Sequence, residues 1–242
     1  YWNEFNIPLP KLNVPSYKTT LPSTGAKVTY RPFLVKEEKL LLIATETGDS
    51  EDMVQAIKTI ITDCTDIKDV SSLATFDIEF LFLKIRTSSV GENVNVTVTC
   101  NDDGETEVDV TIPLDDIKIH KTRGHKSDIK LSEDVAISMG YPSIETFVKM
   151  NFDDGTNQVD QVFEMASTCI KTISDSNQVY DCKDFPKAEL LEFFDQLSSK
   201  QFGLIQNFFE TMPKLSHTIK VNNPNTGVEN EIVLEGLASF FA

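Results

Sequence analysis

Apolar and polar positions alternate along this chain with two different periods. Where the period is near 3.6 residues, helices are predicted. Val35–Thr47 carries Leu40, Leu41, Ile43 and Ala44, and Gly48 ends it. Asp49 and Ser50 can cap a second helix, in which Met53, Val54, Ile57, Ile60 and Ile61 form the stripe. A third opens at Thr75 as its cap, with Phe76, Phe80 and Leu83 on one face and Ile78, Leu81, Phe82 and Ile85 beside it. Apolar on most of its circumference, this helix is expected to be central and buried. Beyond Tyr141 the pattern is helical again. Ser143 can cap residues 143–150, and Val159, Val162, Phe163, Ala166, Cys169, Ile170 and Ile173 read as one further helix. Asp184 before Pro186 marks the start of another, bearing Leu190, Leu191, Phe194 and Leu197. Ser198 with Gln201 makes a capping box for the last, which holds Phe202, Ile205, Phe209 and Met212 until Pro213 stops it.

Where the period is two, strands are predicted. In residues 94–112, Val94, Val96 and Val98 run out and Val108, Val110 and Ile112 return, around the turn Cys100-Asn101-Asp102-Asp103-Gly104. Residues 218–234 repeat that layout around Asn222-Asn223-Pro224-Asn225-Thr226-Gly227. Both look like halves of a zinc ribbon, which takes two Cys from each turn. These turns hold one Cys between them, so no bound metal is expected. A lone hairpin is marginal in water, so the two are expected to pack together. Shorter strands fit residues 27–33, 117–120 and 129–132. The fold class is therefore α+β: a helix-rich chain with two β-hairpins resembling zinc-ribbon halves that lack metal ligands, plus short strands.

Five segments follow: an extended arm over 1–24, a strand and helices over 25–92, a hairpin and short strands over 93–135, a helical region over 136–215, and a C-terminal hairpin over 216–242. Pro8, Pro10, Pro15 and Pro22 fix the arm's extended path, and Trp2, Phe5, Ile7 and Leu9 give it apolar anchors. Such an arm either wraps a partner or staples onto its own core. The chain closes on Leu237, Phe240 and Phe241. The candidate partner-binding residues are Trp2, Phe5, Phe240 and Phe241.

Composition narrows the chemistry. Of 242 residues, 38 are Asp or Glu against 22 Lys or Arg, a net charge of −16 that repels nucleic-acid backbones. No apolar run approaches the ~20 residues of a membrane span. The first residues show no signal-peptide pattern, so no secretion is expected. Cys64, Cys100, Cys169 and Cys182 are scattered without C-x-x-C, which fits a reducing setting. The acidic turns fail the Ca²⁺-loop pattern, since the bidentate acid would fall on Val110. His120 and His125 sit in a basic loop with Lys118, Lys121, Arg123, Lys126 and Lys130, and His217 opens a strand. None of the three has the neighbours of a nucleophile's base. There is no nucleophile elbow and no phosphate-cradling glycine loop. Neither an enzyme nor a cofactor nor a small-molecule substrate is expected.

Four blocks in order carry a resemblance: residues 30–39 (YRPFLVKEEK), 76–82 (FDIEFLF) leading to Ser89-Val90-Gly91-Glu92, 180–185 (YDCKDF) and 208–215 (FFETMPKL). From about residue 25 onward the chain resembles the baseplate hub assembly proteins of T-even-like tailed bacteriophages. Many relatives in that pattern carry C-x-x-C in each hairpin turn, whereas here Cys100 stands beside Asp, Asn and Thr. The resemblance implies a non-enzymatic assembly factor for the tail baseplate hub, working in the host cytoplasm through contacts with other hub proteins. The alternative it leaves is a structural hub subunit retained in the virion.

Overall fold

The computed structural model describes residues 12–47, 49–91, 93–146, 158–236 and 239. Of the arm, residues 12–24 are described. Tyr17–Thr20 forms β1, antiparallel to β2 (Lys27–Tyr30), in the register Tyr17 opposite Tyr30. The turn between them buries Leu21. Trp2 and Phe5 lie outside the described residues.

Three helices follow: α1 (Val35–Thr47), α2 (Ser50–Cys64) and α3 (Thr75–Val90). Asp49 caps α2 as expected, its carboxylate accepting from the Glu51 N–H at 2.7 Å. On α1, Ala44 is buried, but Leu42 and Ile43 stay 60% and 49% exposed. Ile43 therefore does not join the buried stripe. Thr75 does not cap α3 either. Ala74 is the cap residue, and the Thr75 hydroxyl instead donates to the Pro142 carbonyl at 2.6 Å, because both are buried where two segments meet.

Helix α3 is the axis of the molecule. Phe76, Ile78, Leu81, Phe82, Leu83 and Ile85 are each at most 3% exposed. Ile78, Leu81, Phe82 and Ile85 pack with Val54, Ile60 and Ile61 of α2 and with Val28 of β2. On another side Leu83 joins the hairpins, while Phe76 meets Tyr141 edge-on at 4.9 Å. An apolar surface all round a helix is stable only if it is covered all round.

The first hairpin pairs β3 (Asn93–Thr99) with β4 (Glu107–Pro113), setting Val94 opposite Ile112, Val96 opposite Val110 and Val98 opposite Val108. After it come β5 (Lys118–His120), β6 (Asp128–Lys130) and β7 (Ala136–Met139). Helix α4 spans Gln158–Cys169, and the next residues depart from expectation. Ile170–Ser174 is β8, not more helix. It pairs with β7 on one side and with β9 (Val179–Asp181) on the other, completing a sheet in the order β6-β7-β8-β9. The β-branched run Ile170, Thr172 and Ile173 suits a strand. The Cys169 carbonyl leaves the helix to accept from Gly140 at 2.6 Å.

Helices α5 (Lys187–Asp195) and α6 (Ser199–Thr211) cover that sheet. The Ser198–Gln201 capping box is present. Phe163 of α4 stacks on Phe202 of α6 at 4.4 Å, and Ile205, Phe208 and Phe194 fill the interior. The chain returns as β10 (Lys214–Asn222) and β11 (Glu229–Glu235), with β5 on the far edge of β10. Val94, Val96, Val98 and Ile112 then share one cluster with Leu215, Ile219 and Val221. The two hairpins therefore do pack together.

A buried ion pair fixes the start of α1. Glu37, 2% exposed, accepts from Arg31 at 2.7 Å and from the Leu34 N–H at 2.9 Å, with Lys36 at 2.9 Å. Burial alone would push its carboxyl up, but Arg31, Lys36 and Leu34 outweigh this and hold its pKa at about 2. Because the folded value lies below the ordinary 4.5, this stabilisation is complete above pH 4.5 and fades as pH falls toward 2. Its size is on the order of 3 kcal/mol. Glu37→Gln should accordingly lower urea stability by about 2–4 kcal/mol at pH 7, by stranding Arg31. At pH 3 that difference should shrink.

Candidate functional site

The residues richest in chemistry lie where the two hairpin turns meet. Both turns are folded alike. In the first, the Cys100 carbonyl accepts from Gly104 at 3.0 Å and the Cys100 N–H donates to Thr106 at 2.7 Å. In the second, the Asn223 carbonyl accepts from Gly227 at 2.8 Å and its N–H donates to Val228 at 2.9 Å. Gly104 and Gly227 sit at φ 70° and 75°, the left-handed region that closes each turn.

Side chains then cross from turn to turn. Asn223, 1% exposed, donates to Asp102 at 2.9 Å and Asp103 at 2.8 Å, while its Oδ1 accepts from Asn225 and Thr226 N–H groups. Both donors and both lone pairs of this amide are used. Asn230 donates to Asp102 at 2.9 Å and accepts from the Asp102 N–H at 3.0 Å. The Thr226 hydroxyl also donates to Asp102, and Asn225 donates to the Thr106 hydroxyl at 2.9 Å. Asp103 is held in its own turn by the hydroxyl and N–H of Thr106 and the N–H of Glu105.

These bonds decide the electrostatics. The Thr106 hydroxyl and N–H, with Asn223, hold the Asp103 carboxyl far below the ordinary carboxylate range. Thr226 first, then Asn223 and Asn230, lower that of Asp102. Burial, with the two neighbouring carboxylates, pushes the Cys100 thiol up. The four positions at ribbon spacing are Cys100, Asp103, Asn223 and Thr226. As a donor set they do not fit zinc: one thiol disfavoured as thiolate, one carboxylate already filled by donors, one neutral amide and one hydroxyl. Among the described residues, no group of three or more His, Cys, Asp or Glu is placed to hold a metal ion. The junction does with hydrogen bonds what a ribbon does with an ion.

Of the basic loop, Lys121 donates to the Pro22 carbonyl at 2.6 Å. His125 bridges the Thr211 hydroxyl at 3.0 Å and the Tyr141 hydroxyl at 3.2 Å, its ring tilted on Phe208, and burial lowers its pKa. This histidine fastens the loop. His120 and His217 lie in β5 and β10. Phe240 and Phe241 lie outside the described residues. The first two resemblance blocks meet: the Phe33 N–H donates to the Ser89 hydroxyl at 2.6 Å, and Phe33 meets Phe82 edge-on at 5.6 Å. The crossing amides of Asn223, Asn225 and Asn230 were missed. Their signal was an asparagine-rich turn facing an aspartate-rich one.

The chain is thus an α+β protein whose two ribbon-like hairpins are closed by amides and carboxylates. The family described as T4 bacteriophage base plate protein matches residues 14–242, and the chain belongs to it. No curated protein and no solved structure matches it.

Asn223→Ala should cost about 2–4 kcal/mol in urea denaturation, since two bonds to charged groups are lost in a buried place. Chelator should leave the melting temperature of the unaltered protein unchanged. Conversely, combining Asp103→Cys, Asn223→Cys and Thr226→Cys with the native Cys100 should produce a chain that binds one zinc per molecule by elemental analysis and melts earlier with chelator.

Proposed function

We propose that the protein is a non-enzymatic assembly factor for the tail baseplate hub, acting through protein–protein contacts in the host cytoplasm. Membership of a base plate family supports a role in that structure. The resemblance of residues 30–39, 76–92, 180–185 and 208–215 to hub assembly proteins supports the narrower role. The observation that carries the contact reading is on α1. Val35, Leu42 and Ile43, spaced i, i+7 and i+8, are 80%, 60% and 49% exposed. Among the described residues they form an exposed apolar strip along α1. The junction carboxylates Asp102 and Asp103, by contrast, are engaged by donors from both turns.

A second reading is a structural subunit retained in the particle, favoured by the family's description as a base plate protein. Mass spectrometry of purified virions separates the two: an assembly factor should be absent and a subunit present at fixed copy number.

Replacing the strip by Leu42→Gln and Ile43→Gln should reduce recovery of other hub proteins in a pull-down from infected cells by about tenfold, the effect of losing one good contact. The melting temperature should not fall. Deleting residues 1–11 tests the Trp2 and Phe5 anchors separately. It leaves β1 in place, so hub formation should fail while the remainder stays folded.

A further inference from the structure

Helix α1 is apolar on two sides. Leu40 and Leu41 pack against the core and Ala44 is buried. The opposite side carries Val35, Leu42 and Ile43, which stay exposed. At 3.6 residues per turn, Val35, Lys39, Leu42, Ile43 and Glu46 fall within about 100° of arc. The middle of this outer face is apolar, with Lys39 before it and Glu46 after it. Both charged side chains are exposed, and among the described residues neither is paired with an opposite charge. The neighbouring Lys36, by contrast, is bonded to Glu37 and Asp63.

The order of these side chains along the helix is symmetric. Lys39 stands three residues before Leu42, and Glu46 three residues after Ile43. A twofold axis passing between Leu42 and Ile43 would set a second α1 antiparallel to the first. Leu42 of each copy then meets Ile43 of the other, and Lys39 of each faces Glu46 of the other. Both copies offer the same patch, as an isologous interface requires. A parallel alignment would instead face lysine with lysine and glutamate with glutamate. Glu46 also lies in the last turn of α1, where the helix dipole disfavours a carboxylate and no basic residue of that turn offsets it. The lysine of a second copy supplies that offset.

We infer that α1 docks antiparallel on α1 of a second copy of this chain, with Leu42 and Ile43 at the centre and a Lys39–Glu46 pair at each end. This rests on the assembly reading for treating the α1 strip as a contact surface, and it names what covers the strip in the free protein. Helix α1 has 13 residues, about 20 Å of length. Contact of that extent belongs to the small interfaces, so the pair is expected at micromolar concentration. The net charge of −16 on each copy opposes association, but in physiological salt repulsion beyond about 8 Å is largely screened.

Sedimentation equilibrium of the full chain in physiological salt should show a monomer–dimer equilibrium. Lys39→Glu alone and Glu46→Lys alone should each weaken it about tenfold, because each sets like charges face to face twice per dimer. The double variant should restore it. An equimolar mixture of the two single variants should also associate, since every facing pair is then opposite in sign. That rescue separates a lost contact from a lost fold. A monomer at every concentration up to about 0.5 mM, or a dimer indifferent to the reversals, would overturn the inference. Pull-downs from infected cells read the assembly role separately. A chain that stays monomeric yet loses hub proteins on Leu42→Gln and Ile43→Gln overturns the second copy and leaves the assembly role standing. A dimer that recovers no hub protein supports the pairing and sinks the assembly role.

Discussion

The constraint on which the hairpin half of the molecule depends is the crossing of one buried amide, that of Asn223, to two carboxylates in the opposite turn. A two-stranded hairpin is at best marginal alone. Here each supplies half of an apolar cluster, Val94, Val96, Val98 and Ile112 from one and Leu215, Ile219 and Val221 from the other. Apolar contact is non-directional and does not fix the register between two sheets. The junction does: fork-like amides meet carboxylates at 2.8–2.9 Å and tolerate little sliding. With the hairpins locked, Leu83 of α3 has a surface to pack on, and the central helix is covered on that side as well.

This arrangement shows how a ribbon-like layout of two hairpins can be held together by hydrogen bonds. A tetrahedral ion site and a hydrogen-bonded knot solve the same problem, holding two tight turns tip to tip. The knot uses Asp as acceptor and Asn as donor, residues that turns favour on backbone grounds anyway. It also engages Asp102 and Asp103, which are surrounded by donors that favour their charged forms. The burial of His125 between Thr211 and Tyr141 has a similar consequence. Asp102, Asp103 and His125 each serve to fasten one segment to another. Among the large apolar side chains left exposed are Val35, Leu42 and Ile43 on α1, Val179 on the edge strand β9, and Phe185. A baseplate is built from protein contacts, and such a surface suits that setting.

Legibility in the sequence followed the strength of the local pattern. The strict alternation of Val94, Val96 and Val98 against Val108, Val110 and Ile112 gave the first hairpin and its register. The all-round apolar surface of α3 gave its central place. Misreadings arose where a distant partner decided the outcome. Ile170 and Ile173 fit a helical stripe, yet β7 and β9 on both sides draw them into a sheet. Thr75 has a capping side chain, yet the Pro142 carbonyl 67 residues away takes its hydroxyl. The junction was half legible: the absence of ribbon cysteines was plain, but the reciprocal match of Asn and Asp across more than a hundred residues has no local signature. Ile43 was placed inside by periodicity alone, and only the packing of α1 against α2 shows which of its faces is covered.

Native-state hydrogen exchange of the unaltered protein tests the hydrogen-bonded junction most directly. The amides of Cys100, Gly104, Thr106, Asn223 and Gly227 should exchange as slowly as those of the hairpin strands, with rates indifferent to chelator and to added zinc. Rapid exchange at these turns, or protection that appears only when zinc is supplied, would contradict the account.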